Sequence, residues 1–303
     1  MLKTTQFNNN LHAEILKLCH FAKLKPHNFV RGCKLFDNYQ RVGIIVLFIM
    51  SKQSLRDFIR DERDTLLIWK HRFQLKKIPS KSTLHSWLKS FDLSFIRKLL
   101  GFTILGETPE IIAIDGSGVD SYYQSNYYQK RLKDFGFRKP KSPWHKLDII
   151  IDVKTTLILD FSFLLTNRHD SKVAWQLFKR FEYKNCMVLA DKGYYYFDLY
   201  ELIKSKGGTL VVPPKNYGKK CLKRNIIRKQ FQDSFYQNER KYLLRNNVES
   251  VFSSLKRVQG LKIRSKIHFM KKRELAWHMI WYNLRKKLCK QIFFSIIFIK
   301  ILK

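Results

Sequence analysis

Tyr242–Lys256 reads YLLRNNVESVFSSLK. Wound as an α-helix at about 100° per residue, this stretch has three faces. Tyr242, Arg245, Glu249 and Lys256 fall within an arc of about 60°. Leu244, Val248, Val251, Phe252 and Leu255 share a second, apolar face that suits a core. Asn246, Asn247, Ser250, Ser253 and Ser254 fill most of the rest. The narrow face therefore holds one carboxylate among cations and a phenol. The same residues also suit an ordinary surface helix with an i,i+4 ion pair between Arg245 and Glu249. What separates the two readings is whether the rest of the chain supplies further carboxylates.

The 303 residues suffice for one large domain or two ordinary ones. With 45% hydrophobic residues the chain is globular. Its net charge of +35 calls for a polyanionic partner; nucleic acid is the default and an anionic membrane surface the alternative. The charge is clustered: residues 211–290 hold 22 Lys and Arg against four acids, a net +18. Five isolated cysteines show no metal-ligand spacing, so a reduced intracellular protein is expected. The polar start MLKTTQFNNN is unlike a signal peptide, and the apolar runs Val42–Met50 and Ile292–Leu302 are too short to span a bilayer. A cytoplasmic, nucleoid-associated protein without a membrane partner is expected.

Residues 1–105 read as an all-α region, with apolar residues at helical spacing in Leu11–Leu24 and Tyr39–Ile59. Pro79-Ser80 marks a helix start before STLHSWLKSF, loosely like the second helix of a helix-turn-helix. Gly101, Gly106 and Pro109 break the pattern. Five β-rich runs follow: Glu110–Ile114, Leu147–Val153, Leu157–Leu164, Cys186–Ala190 and Thr209–Val212. Lys154-Thr155-Thr156 is expected to close a hairpin. Helical patterns at Ser171–Phe181 and Asp198–Lys206 follow the third and fourth runs. This order predicts an α/β domain, a mixed sheet flanked by helices, over 106–288. A basic insertion lies near 213–240, and 289–303 form an apolar tail.

Two of the runs lead into an acid. EIIAIDGSG carries Asp115 and NCMVLADKGYY carries Asp191, each with glycine close behind. Acids at the ends of buried strands can converge at the carboxyl edge of a sheet. Both also suit turn-forming roles.

The spacing Y-x2-R-x3-E-x6-K, with Asp115 and the A-D-x-G-Y run at Asp191 preceding it, resembles the DDE transposases of prokaryotic insertion sequences, of the insertion-sequence-four and -five type. The resemblance covers about 110–285. It implies an RNase H-like fold and DNA cleavage and strand transfer by in-line phosphoryl transfer. Asp115, Asp191 and Glu249 would be the catalytic carboxylates and metal ligands. Three converging carboxylates need a cation, and oxygen donors without Cys or His select Mg²⁺, with Mn²⁺ as a substitute, in a two-ion site. Tyr242, Arg245 and Lys256 would contact DNA, as would Lys192, Lys219, Lys220, Lys223, Arg224, Arg264 and Lys266. The loop Lys215–Lys229 carries seven cations and no acid.

Lys146 and His169-Asp170 match positions where relatives often have similar residues, and supporting roles are expected for them. Turn or sheet-edge roles are expected for Asp120, Asp148, Asp152 and Asp160. The resemblance further implies double-stranded DNA as partner, in the form of terminal inverted repeats and target, and a homodimer or larger synaptic complex. A nuclease that does not join strands, and a decayed or domesticated copy that only binds DNA, share the same residues.

Overall fold

The computed structural model of the chain describes residues 2–27, 35–61, 63–120, 144–165, 168–182, 184–215 and 222–301. The chain divides into two compact units, residues 1–105 with 264–303, and residues 106–263.

The second unit is built on β1 (Ile111–Asp120), β2 (Trp144–Asp152), β3 (Ile158–Leu164), β4 (Met187–Ala190) and β5 (Thr209–Val211). They form one five-stranded sheet in the order β3-β2-β1-β4-β5. The β1–β2 and β2–β3 pairs are antiparallel, and β1–β4 and β4–β5 are parallel. β1 lies in the middle, so it must be apolar on both faces, and Ile112, Ala113 and Ile114 are fully buried. The β2–β3 hairpin turns on Asp152, whose carboxylate accepts the N–H groups of Lys154 and Thr155 at 3.1 Å each. Thr156 completes the turn at φ 58°.

Parallel neighbours need crossovers. α7 (Asp170–Arg180) joins β3 to β4, and α8 (Phe197–Ser205) joins β4 to β5. α7 buries Val173, Ala174, Leu177 and Phe178, an i, i+1, i+4, i+5 stripe, and α8 buries Leu199 and Ile203. Each large apolar side chain so buried contributes about 1.5–3 kcal/mol.

The structure extends or corrects three local expectations. β1 does not stop at Asp115; it continues to Asp120 along β2. What stops is its pairing with β4, at Ile114↔Ala190. The basic stretch is not a loop throughout, because α9 (Leu222–Gln237) takes in its second half. Tyr242–Lys256 is a helical path of four pieces: α10 (Glu239–Tyr242), a 3₁₀ turn (Leu243–Arg245), α11 (Asn246–Ser253) and a π turn (Ser254–Val258). At three residues per turn, the 3₁₀ segment advances the wheel by about 60° more than an α-helix would. Leu244 is carried out to 41% exposure in consequence, while Val248, Val251, Phe252 and Leu255 stay in the core.

The first unit is helical in its described parts. It comprises α1 (Leu2–Phe21), α2 (Asn38–Ser51), α3 (Leu55–Asp61), α4 (Arg63–Arg72), α5 (Lys81–Ser90), α6 (Leu93–Thr103) and, from the far end of the chain, α12 (His268–Ile301). α2 opens with a capping box between Asp37 and Gln40 and buries its run from Val42 to Ile49. Ser80 caps α5, accepting the Thr83 N–H at 3.2 Å. α12 packs against α6, α2 and α1 and buries Leu275, Trp277, Ile280, Tyr282 and Leu284. Asn283 donates to Thr103 Oγ1 at 2.7 Å inside this core. The sequence pattern divides the chain at 288; the backbone runs through that point as one helix. Its burial against α6 places 264–303 with the first unit instead of with the sheet. No helix among the described residues is long and apolar enough to cross a membrane.

Candidate active site

Asp115 and Asp191 are brought together by register. The last paired residues of the parallel strands β1 and β4 are Ile114 and Ala190, and each acid is the next residue. Neighbouring strands lie about 4.8 Å apart, so the two carboxylates leave adjacent strands side by side. Asp115 Oδ1 accepts the Gly116 N–H at 2.8 Å. Asp191 caps a 3₁₀ turn, Lys192–Tyr194, accepting the Lys192 N–H at 2.6 Å.

α11 supplies the third acid. Its apolar residues Val248, Val251 and Phe252 pin it to the sheet, where it packs on β1. Asn247 Nδ2 donates to the Val153 carbonyl at 3.0 Å and fixes the helix along its axis. Arg245 then reaches Asp115 Oδ2 at 3.3 Å through Nη1 and Glu249 Oε1 at 2.7 Å through Nη2. Lys256 Nζ donates to Ser117 Oγ at 2.7 Å, two residues beyond Asp115 on β1. Two residues of the narrow face, Arg245 and Lys256, thus reach β1, and Glu249 joins them through Arg245.

The electrostatics follow from this placement. Burial pushes the Asp115 carboxyl above its ordinary value. The Gly116 N–H and Arg245 oppose that shift, and the negative charges of Asp191 and Glu249 add to it. Burial acts to lower Arg245, but Tyr242, Asp115 and Glu249 outweigh it and hold the guanidinium protonated. Tyr242 is raised, chiefly by burial, with Asp191 and Asp115 contributing and Arg245 opposing. Its ring meets Phe235 edge-on at 5.1 Å. So Asp115, Asp191, Glu249, Tyr242 and Arg245 form one electrostatic group.

Among the described residues, no three His, Cys, Asp or Glu side chains are drawn into one coordination sphere. The donor chemistry nevertheless fits a hard divalent cation. The acids offer oxygen alone, Asp115 feels the negative charge of the other two, and a guanidinium is the cation that now lies between two of them.

The remaining sequence candidates divide. Lys192 is exposed beside Asp191. Lys219 and Lys220 lie outside the described residues, and Lys223 and Arg224 fall on α9 by their backbone. Arg264 and Lys266 belong to the first unit. Arg264 is used there internally: its guanidinium bonds the Gln53 carbonyl and lies 5.8 Å from the Phe48 ring centre. Lys266 is exposed.

Asp148 departs from its expected turn or edge role. β2 is an interior strand, and Asp148 is fully buried within it, opposite Gly116. Burial lifts its carboxyl to about 7, with Lys146 opposing the shift and Asp170 adding to it. Lys146 Nζ lies 3.4 Å from Asp148 Oδ1, bonds Asp170 Oδ1, and donates to the Arg168 carbonyl at 2.8 Å. Tyr194, also buried, turns its hydroxyl to Asp148 Oδ1 at 3.4 Å. Asp160 does sit on the outer strand, bound by Arg180 at 2.8 Å. Beside Gly193 an open cleft of about 690 Å³ is lined by Arg168, His169, Asp170, Lys172 and Lys215. Sequence reasoning gave Tyr194 no role and took Asp148 for a turn or sheet-edge residue. The available signal was Lys146 and Asp148 at i and i+2, opposite charges on one strand face.

Comparison with known proteins adds a family. Residues 106–284, more than half of the chain, match the family described as transposase DDE domain. No curated protein matches. Among solved structures, the chain is similar to the cryo-EM structure of the piggyBac transposase synaptic complex with hairpin DNA. Identity there is 11% and the TM-score 0.41, over 97% of this chain and 79% of that one. By its family match, this chain belongs to the DDE transposases.

Proposed function

We propose that the chain is the transposase of an insertion sequence, of the four or five type, and that it cuts and joins DNA at Asp115, Asp191 and Glu249. The observation that carries this is the Arg245 bridge. One guanidinium ties the acid of β1 to the acid of α11, while Asp191 leaves the strand beside Asp115. An ordinary surface helix would spend Arg245 on Glu249 alone. The sheet is read as RNase H-like, with two antiparallel pairings followed by parallel crossovers around a central β1.

Asp115, Asp191 and Glu249 would hold Mg²⁺, or Mn²⁺ in its place. Such ions supply activation of an attacking oxygen and stabilisation of a leaving one. The protein's own residues then have separable tasks. Gly116 and Lys192 N–H groups orient the two strand carboxylates. Arg245 and Tyr242, once a metal neutralises the acids, can turn to phosphate oxygens. Lys256 and Lys192 extend the positive surface beside the scissile strand, which gives affinity and salt dependence without sequence readout. Terminal inverted repeats, target DNA and a synaptic dimer or larger assembly complete the proposal. The helical region of residues 1–105 would help grip the ends.

The test is a cleavage and joining assay in Mg²⁺ or Mn²⁺. The substrate is DNA carrying the gene's own flanking ends, with wild type set against Glu249→Gln. Wild type should cut and join, and the variant should do neither while still binding DNA. Cleavage without joining would make the chain a nuclease. Binding without cleavage by wild type would make it a DNA-binding relative.

A further inference from the structure

We propose that Lys146 is a positioning residue for the two strand-borne carboxylates, holding the backbone behind Asp115 and the backbone behind Asp191 against one ion cluster centred on the buried Lys146–Asp148 pair. This rests on the reading of Asp115 and Asp191 as metal ligands.

Side chains opposite one another on paired strands share a face. Gly116 pairs with Asp148 and Asp115 pairs with Ile149. The Lys146–Asp148 cluster therefore lies on the face of β1 opposite to Asp115. The ammonium of Lys146 has three donors, and three acceptors surround it: Asp148, Asp170 and the Arg168 carbonyl. The side chains of Lys146 and Asp148 are 5% and 0% exposed, so this charge sits away from water.

The cluster touches both carboxylate-bearing segments. A Cβ on Gly116 would lie 2.7 Å from Asp148 Oδ1 and 3.2 Å from Lys146 Cε. A Cβ on Gly193 would lie 2.9 Å from Asp170 Oδ2. Gly116 directly follows Asp115, and Gly193 is two residues beyond Asp191 within the turn that Asp191 caps. Tyr194, from the same turn, closes the ring with its hydroxyl toward Asp148. Both segments are glycine where they meet the cluster, because only a residue without Cβ allows that approach. A buried ammonium with two carboxylates is a poor source of net stability, since apolar replacements of equal volume often serve as well. Its product here is a fixed spacing between the residues after Asp115 and Asp191.

The experiment uses Mn²⁺ binding by the full chain, followed by electron paramagnetic resonance without DNA. Wild type, Asp115→Asn, Lys146→Met, Asp170→Asn and Ile203→Val are compared, with thermal melts recorded for each. Asp170 is 44% exposed, so Asp170→Asn keeps the fold even where Lys146→Met does not. Ile203→Val lowers stability at a buried site in α8 and reports what destabilisation alone does. Wild type and Ile203→Val should bind alike, Asp115→Asn should lose the site, and the Lys146 and Asp170 variants should bind about ten- to hundredfold more weakly. Folded Lys146 or Asp170 variants binding like wild type, with Asp115→Asn still deficient, would overturn the positioning role and leave the metal site standing. Mn²⁺ binding indifferent to Asp115→Asn would overturn the metal reading, and this inference with it.

Discussion

Gly116→Ala tests how tightly β1 is held against the buried cluster. The added methyl would sit 2.7 Å from Asp148 Oδ1, 3.2 Å from Lys146 Cε and 3.5 Å from Asp148 Cγ. Real Cβ atoms do not approach so closely, so something must move. Asp148 has little freedom to do so: it is fully buried within an interior strand and bound by Lys146 and Tyr194. Overpacking of this kind costs about 1–3 kcal/mol. Against it stands about 0.5–1 kcal/mol from removing glycine's extra freedom in the unfolded chain. The balance is a loss of up to about 2.5 kcal/mol, centred near about 1 kcal/mol, or up to about 10 °C in Tm for a unit of this size. Gly101→Ala is the control. That glycine lies inside α6 with nothing within 4 Å of its would-be Cβ, so alanine should raise stability by about 0.5–1 kcal/mol. Differential scanning calorimetry of the full chain reads both. Should Gly116→Ala melt at or above wild type, Asp148 is not pressed against β1 and the cluster does not hold that strand.

Three further outcomes are expected. Asp148 titrates at about 7 in the folded chain, well above an unfolded aspartate, so the native state holds an extra proton between about pH 4 and 7. Its stabilising contribution is complete at low pH and is lost as pH rises through 7; Asp148→Asn should remove that decline, read as urea midpoints at pH 5 and 8, and an unchanged pH slope would refute it. Glu274, only 6% exposed, accepts the N–H groups of Arg264 at 3.0 Å and Ser265 at 2.8 Å. Glu274→Ala strands both donors and should cost about 2–4 kcal/mol in denaturant unfolding, with a change below about 0.5 kcal/mol counting against it. Finally, Mn²⁺ should stabilise wild type by about 2.7 kcal/mol at a hundred times its Kd, and the shift in Tm should vanish in Asp115→Asn.

Much of the sheet was legible because its strands are short apolar runs bounded by polar turns. Ile111–Ile114 and Met187–Ala190 read as buried strands since both their faces are covered, which leaves no polar alternation to confuse them. Where β1 ends was not legible. GSGVD after Asp115 looks like a turn, and only the pairing with β2 makes it strand. The hairpin at Asp152 was readable from local chemistry. The buried state of Asp148 was not, because burial of a charged residue depends on a partner 22 residues further on, Asp170, reached through Lys146. The wheel over Tyr242–Lys256 grouped Arg245, Glu249 and Lys256 on one face, and in the structure Arg245 and Lys256 bond β1 while Glu249 bonds Arg245. It misplaced Leu244, since a uniform 100° step cannot foresee a 3₁₀ turn. Arg264 looked like one more surface cation; its bond to the Gln53 carbonyl spans 211 residues, and no local pattern carries that.

The most direct measurement is a crystal structure of the protein soaked in Mn²⁺, with the metal located by anomalous scattering. Manganese should lie among the carboxylates of Asp115, Asp191 and Glu249, with each within ligand distance of an ion and Arg245 displaced from at least one of its two acids. Manganese bound elsewhere, or any of the three carboxylates more than about 6 Å from the ions, would contradict it.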